Sequence, residues 1–161
     1  MHEIRKAVLW TVKTPANRTS IWAFARSTDR RTSANALWIM THLPASENDW
    51  LFSLQNELID MLLTETDTGK KRMLLQLLKV QEYDPDAIRT DFLDYCLSKI
   101  NSESETYAVR CFCIYSAFRM CRHFPELITE LEHHLEMMSS QSLSPGLRSA
   151  LRHTNIKISK L

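Results

Sequence analysis

Apolar residues recur along the chain at the spacing of amphipathic helices, and the predicted helices come in pairs. One stripe has members three or four positions apart, which places them on one helical face: Leu51, Leu54, Leu58 and Leu62. The pattern predicts a leading helix over residues 2–13 and then four pairs. The pairs are 15–27 with 30–43, 47–64 with 69–82, 86–100 with 105–122, and 125–138 with 146–156.

The second helices of these pairs share a period of 38 residues, which Arg72, Arg110 and Arg148 mark. Apolar residues keep the same register in neighbouring columns. The columns are Ala36, Leu74, Phe112 and Ala150; Leu37, Leu75, Cys113 and Leu151; and Val80, Phe118 and Ile156. The first helices repeat through Leu54, Leu93 and Leu131 and through Leu58, Leu97 and Leu135. Because one pair cannot bury its apolar face alone, columns in phase favour stacked pairs over a plain helical bundle.

Turn residues fall in phase with this repeat. Pro44, Pro85 and Pro125 each follow the second helix of a pair, and proline suits the first turn of the next helix. The segment 139–146 is rich in serine and predicts a loop. We expect one domain over residues 1–161: a capping helix at 1–14, four helix pairs at 15–156 and a frayed tail at 157–161.

Acidic residues form a further column five positions ahead of the arginine column: Asp29, Asp67 and Glu105. An aliphatic–Arg pair enters the second helix at Val109-Arg110 and Leu147-Arg148. In both features the chain resembles the HEAT and armadillo repeat superfamily over most of 15–156. The resemblance implies an all-α, right-handed α-solenoid of about four helix pairs plus an N-terminal capping helix.

The same resemblance implies that Asp67 and Glu105 pair with Arg72 and Arg110 in or between repeats. Two terminal positions depart from the columns, because Leu143 replaces the acid in the last unit and Ala34 replaces the arginine in the first. Terminal units of repeat proteins cap the stack and are commonly atypical. We therefore still expect the repeat to span all four pairs.

Composition narrows the classes of protein. The chain has only 2 Gly and 5 Pro in 161 residues, too few for the turns of an all-β fold. Its net charge of +1 gives no overall attraction to nucleic acid or to a membrane. No apolar stretch is long enough to predict a transmembrane helix, and the first residues lack the apolar core of a signal peptide. We expect a cytoplasmic protein with no membrane partner.

Four cysteines lie within apolar helical patterns, which predicts buried, reduced thiols: Cys96, Cys111, Cys113 and Cys121. Residues two apart on a helix point about 200° away from each other, so neither Cys111 with Cys113 nor Cys121 with His123 can chelate alone. No Ser-His-Asp catalytic arrangement is supported, because every serine is explained equally well as a helix cap or a turn residue. We therefore expect no metal ligand, no catalytic residue and no cofactor site.

Tryptophans and charges are distributed unevenly. All four tryptophans lie in the first third of the chain: Trp10, Trp22, Trp38 and Trp50. Core packing is the favoured interpretation, and an exposed anchor for a partner is the alternative. The net charge is +5 over 1–46, −7 over 47–106 and +3 over 107–161. This segregation could steer a polarised partner or could serve solubility alone.

These observations favour a non-enzymatic protein–protein interaction module or scaffold. In a solenoid the second helices line one concave side, and we expect the partner there. The candidate partner-binding residues lie outside the apolar stripes of these helices: Gln76, Lys79, Arg119, Arg122 and Arg152. Their chemistry suits an acidic protein segment, because arginine binds carboxylates in a forked geometry.

The alternative function is a nucleic-acid-binding HEAT-like protein related to DNA-alkylation-repair glycosylases. Such a protein needs a continuous basic groove and a carboxylate beside an aromatic platform on which a base stacks. No tryptophan in this chain has an acidic residue four positions later, and the middle of the chain is acidic. Nucleic acid is therefore the less favoured partner.

Overall fold

The computed structural model describes all 161 residues and contains helices but no strands. Ten α-helices follow one another: α1 His2–Lys13, α2 Pro15–Ala25, α3 Arg30–Thr41, α4 Asn48–Ser53, α5 Gln55–Thr64, α6 Thr68–Leu78, α7 Thr90–Ile100, α8 Tyr107–Cys121, α9 Pro125–Ser139 and α10 Pro145–Ser159. Two short 3-10 helices, Ala45–Glu47 and Pro85–Ala87, precede α4 and α7.

A side-chain cap fixes the start of the second helix in each pair. The caps of α3, α6, α8 and α10 each accept a hydrogen bond from the backbone N–H three residues later: Asp29, Asp67, Thr106 and Ser144. Each cap satisfies an N–H group that the helix itself leaves without a partner. Capping therefore accounts for the acidic residues of the first two units, Asp29 and Asp67. In the third unit the cap is Thr106, the residue after Glu105.

The helices form two layers, and the chain is an α-solenoid. In one layer α3, α6, α8 and α10 contact each other in succession, and in the other α5, α7 and α9 do so. Within the repeats α2 contacts α3, α5 contacts α6, α7 contacts α8 and α9 contacts α10. The leading helix α1 contacts both α2 and α3, so it covers the first pair as the predicted capping helix.

One apolar cluster runs through the stack from Ile21 to Ala150. Its centre is α8, which lies between α6 and α10 and buries nine of its fifteen residues. The predicted core residue Leu93 is buried, whereas Phe112 is only half-buried at the edge of the cluster. The apolar column of Val80, Phe118 and Ile156 is buried only at Phe118. Helix α6 already ends at Leu78, which leaves Val80 51% exposed.

Four predicted boundaries were wrong: α6, expected to end at residue 82, ends at Leu78, and three others differ as follows. The helix expected at 47–64 is interrupted at Leu54, where the carbonyl of Leu51 accepts the N–H of Leu54 at 3.1 Å and the amide of the buried Gln81 at 3.4 Å. The helix expected from 86 begins at Thr90, because Asp84 caps a separate 3-10 turn before it. The tail expected from 157 is helical up to Ser159.

The tryptophans divide between core and surface. Trp22 is buried and Trp50 is half-buried, as core packing predicts. Trp10 and Trp38 are exposed, so the core interpretation is wrong for these two. The reason for Trp10 is its place on α1, whose outer side has no further helix to cover it.

A polar ladder joins successive repeats, but its members differ from those that the resemblance implied. Arg30 at the start of α3 donates to Asp67 at 2.5 Å, and Lys71 in α6 lies 3.3 Å from Glu105. Asp67 and Glu105 make no ion pair with Arg72 or Arg110. Arg72 is exposed, and Arg110 binds other acceptors. Each acid therefore bridges to the preceding repeat, while Asp67 also caps its own helix and Glu105 also pairs with Lys99 of its own repeat.

Candidate partner-binding groove

The second helices of the last three pairs enclose a groove near their C-terminal ends. It has a volume of about 440 Å³ and lies over α8, with α6 on one side and α10 on the other. We call it the basic groove. Its lining consists of Lys79 and Val80 after α6, Tyr115, Phe118, Arg119 and Arg122 on or after α8, and His153, Thr154 and Lys157 on α10.

The position of the cations follows from the helices that carry them. Lys79 is the C-cap of α6 and Arg122 is the C-cap of α8, while Lys157 lies in the last turn of α10. The carbonyl end of a helix carries partial negative charge, which favours cations there. With Arg119 the groove gathers four cations from segments that are far apart in the sequence.

Aromatic rings hold two of these cations in place. The Nζ atom of Lys79 lies 4.2 Å from the ring centroid of Phe112 and 5.9 Å from that of Tyr115. Lys157 Nζ lies 5.8 Å from the centroid of Phe118. Burial lowers the pKa of Lys79. Cation–π contacts of this kind attract the ammonium groups to the ring faces.

The two arginines of the groove share one carboxylate. Arg119 Nη1 donates to Oε1 of Glu82 at 2.8 Å, and Arg122 Nη2 donates to Oε2 of the same residue at 2.6 Å. Arg119 Nη1 also donates to the carbonyl oxygen of Gln81 at 3.3 Å. The guanidinium groups therefore already bind a carboxylate in the free protein, which is the chemistry expected of a partner's side chain.

A buried hydroxyl adds a further polar group to the groove wall. Thr154 is almost fully buried, and its Oγ1 has no hydrogen-bond partner. Because this oxygen is itself buried, it belongs to the packed wall of the groove and not to its accessible surface. The lining that a ligand can contact thus combines cations and aromatic rings.

Comparison with protein families gives a single decisive result. A family profile described as HEAT repeat domain matches residues 1–158. The chain belongs to the HEAT repeat family. Searches of curated proteins and of solved structures find no match. The matched residues include all of α1 and all but the last residue of α10.

Three of the five predicted partner-binding residues of this HEAT repeat protein come together in the basic groove: Lys79, Arg119 and Arg122. Gln76 is half-buried in α6 and does not line it. Arg152 faces a different part of α10, where it borders shallow depressions with Arg148. Successive residues on a helix differ by about 100° in direction, which separates Arg152 from the groove residue His153.

Several groove residues were missed in the sequence. Val80 was assigned to the core and Lys157 to a frayed tail, whereas both line the groove. A usable signal was present for Lys157, because it follows His153 by four residues and so lies on the same helical face. The contribution of Tyr115 depends on how α8 is rotated between its neighbours, which the periodicity of a helix buried nearly all round does not define.

The cysteines of this HEAT repeat protein form no metal cluster with other side chains. No group of three His, Cys, Asp or Glu residues lies close enough together to hold a metal ion. Cys96, Cys113 and Cys121 are buried, and burial raises the pKa of Cys121 to about 12. Burial and a hydrogen bond with Cys113 raise the pKa of Cys96 as well, so both thiols stay protonated at neutral pH.

No helix of the structure has both the length and the hydropathy needed to cross a membrane.

Proposed function

We propose that this HEAT repeat protein is a non-enzymatic interaction module that binds an acidic segment of another protein in the basic groove. The observation that carries the proposal is the convergence of Lys79, Arg119, Arg122 and Lys157 around one concavity. Arginine forks and lysine ammonium groups bind carboxylates through charge-assisted hydrogen bonds. The proposal includes a cytoplasmic location, in keeping with the burial of three of the four free thiols.

The floor of the groove indicates what else the partner carries. Tyr115 and Phe118 lie between the cations, and Val80 exposes an apolar side chain at the rim. Aromatic side chains bury large areas at interfaces and are common at hot spots. We therefore expect acidic residues of the partner to alternate with large apolar ones.

The size of the groove favours a short segment over a folded domain. A volume of about 440 Å³ accommodates only a few side chains. Nucleic acid, the alternative, binds through many phosphate contacts along a continuous basic track. Here the four cations are clustered, and the segment 47–106 has a net charge of −7. Both observations support a protein partner.

Fluorescence anisotropy with a labelled peptide of alternating Glu and Phe tests the proposal. The full chain should bind this peptide more tightly than a matched peptide of Gln and Phe and more tightly than a single-stranded oligonucleotide. The double variant Arg119→Glu with Arg122→Glu should weaken binding by at least about tenfold and remove most of its salt dependence.

A matched control reverses two arginines that lie outside the groove. Arg31 and Arg72 are exposed and make no ion pair, so Arg31→Glu with Arg72→Glu changes the net charge equally. If both double variants keep their melting temperature and lose affinity equally, binding depends on overall charge and the groove is not the site. Tighter binding of the oligonucleotide would instead support the nucleic-acid alternative.

A further inference from the structure

Glu82 is the one carboxylate that binds the arginines of the basic groove. Its side chain and its backbone are held by different contacts. Its oxygens lie 2.8 Å from Arg119 Nη1 and 2.6 Å from Arg122 Nη2, yet the side chain remains 59% exposed. One carboxylate thus occupies two guanidinium groups without being enclosed by the fold.

The backbone at Glu82 is held independently of this carboxylate. Gln55 Nε2 donates to the carbonyl oxygen of Glu82 at 2.8 Å and to Oε1 of Gln81 at 3.0 Å. Gln81 and Tyr83 on either side are both buried, and the Tyr83 hydroxyl donates to the carbonyl oxygen of Leu78 at 2.7 Å. The loop therefore stays in place whether or not the Glu82 side chain contacts the arginines.

The arginines are also positioned without Glu82. Arg119 keeps its hydrogen bond to the carbonyl oxygen of Gln81, and Arg122 lies 3.2 Å from the ring of His123. Ion pairs between exposed side chains are weak and exchange readily with competing charges. The carboxylate of Glu82 can therefore leave both arginines at little cost when another carboxylate arrives.

We propose that Glu82 is a built-in competitor, which occupies Arg119 and Arg122 in the free protein and is displaced by an acidic side chain of the partner. This inference rests on the proposed function of the groove. It adds a specificity rule: only a segment whose carboxylates bind both arginines better than Glu82 gains access. A single isolated carboxylate would merely replace one ion pair with another.

The variant Glu82→Gln tests the competition while keeping the size and hydrogen-bonding capacity of the side chain. With the Glu–Phe peptide, Glu82→Gln should bind about three- to tenfold more tightly than the unmodified chain, because the competing charge is gone. The matched control is Glu57→Gln, which removes one exposed carboxylate of α5 that makes no ion pair. This control should leave the affinity unchanged.

The possible outcomes distinguish the role of Glu82 as a competitor from the proposed function of the basic groove. If the unmodified chain binds the peptide and depends on Arg119 and Arg122, but Glu82→Gln binds equally or more weakly, the proposed function stands and the competitor is overturned. If neither form binds the peptide, the proposed function fails and the competitor fails with it. Tighter binding by both Glu82→Gln and Glu57→Gln would show a general charge effect and would also overturn the competitor.

A second measurement uses the unmodified chain and so does not depend on whether a variant folds. In the ¹³C-labelled unmodified chain, the side-chain carboxylate signal of Glu82 should move toward that of a free glutamate as the Glu–Phe peptide is added. A carboxylate signal that stays fixed at saturating peptide would show that Glu82 keeps its arginines, and the competitor would be excluded.

Discussion

The guanidinium group of Arg110 binds Gln141 across the boundary between the third and fourth repeats. Nη2 donates to Gln141 Oε1 at 3.1 Å, while Nε donates to the carbonyl oxygen of Ile100 at 2.8 Å. The amide of Gln141 in turn donates to Asn101, whose own amide donates to the carbonyl oxygen of His134. One buried arginine thus links the ends of two first helices to the turn before α10.

Replacing this arginine should destabilise the fold. Arg110→Met leaves the Ile100 carbonyl and the Gln141 side chain without their donor in a buried site, a loss of about 1–3 kcal/mol. Arg148→Met in the same repeat column changes an exposed residue and should stay within about 0.5 kcal/mol of the unmodified chain. Urea unfolding measures both. Equal losses would mean that the network around Gln141 contributes nothing beyond general charge.

A second prediction concerns the core between α7 and its neighbours. Leu93 is buried, so Leu93→Ala should lower the free energy of unfolding by about 2–5 kcal/mol. Phe112 is half-buried beneath Lys79, and Phe112→Ala should cost less than truncation of a fully buried ring. The exposed Leu9 provides the control, since Leu9→Ala removes little packing. A loss below about 0.5 kcal/mol at Leu93 would contradict its place in the core.

The fold was largely predictable because its signals are local. The 38-residue period follows from apolar spacing, and the starts of the second helices are marked by caps such as Asp29 and Ser144, all of which are local in the sequence. The partners of charged residues were not predictable. Asp67 binds Arg30 of the preceding repeat, because the stagger between adjacent helices decides which cation reaches it. That stagger depends on side-chain packing across the whole layer.

The basic groove was predictable only in part for the same reason. Lys79, Arg119 and Arg122 could be identified as cations outside the apolar stripes, since helical periodicity defines those positions. Whether these cations lie around one groove depends on where the second helix of each pair ends. Helix α6 ends at Leu78 while α10 continues to Ser159, which brings Val80 and Lys157 to the same concavity. Sequence spacing alone does not specify those ends.

The ion pair between Arg18 and Glu47 should make stability depend on pH. Arg18 Nη2 donates to Glu47 Oε1 at 3.0 Å, and this hydrogen-bonded arginine holds the pKa of the buried Glu47 carboxyl below its usual 4.5. A carboxyl group with a depressed pKa stabilises the fold above its unfolded pKa, and that contribution is lost as pH falls through the folded pKa. Glu47→Gln lacks this contribution at every pH.

The difference in unfolding free energy between the unmodified chain and Glu47→Gln should therefore shrink as the pH is lowered from neutral to below 4.5. Urea unfolding at a series of pH values measures it. Glu57→Gln, at an exposed carboxyl without an ion pair, should show no comparable trend. A difference that is constant across the series would show that Arg18 does not stabilise the charged form of Glu47.

The last prediction separates the groove from the general charge of the C-terminal helix. Lys157 and Lys160 are three residues apart at the end of α10, but only Lys157 lines the groove, with its Nζ 5.8 Å from the Phe118 ring. Lys157→Glu should weaken binding of the Glu–Phe peptide by about tenfold, because it replaces an attractive charge with a repulsive one beside the site. Lys160→Glu changes the net charge equally and should leave the affinity within about twofold, since exposed charges outside contact range are screened by salt. Anisotropy titrations at two salt concentrations compare the variants, and added salt should narrow the gap between them. Equal weakening by both substitutions, with melting temperatures unchanged, would locate the interaction along the basic C-terminal segment as a whole rather than in the groove.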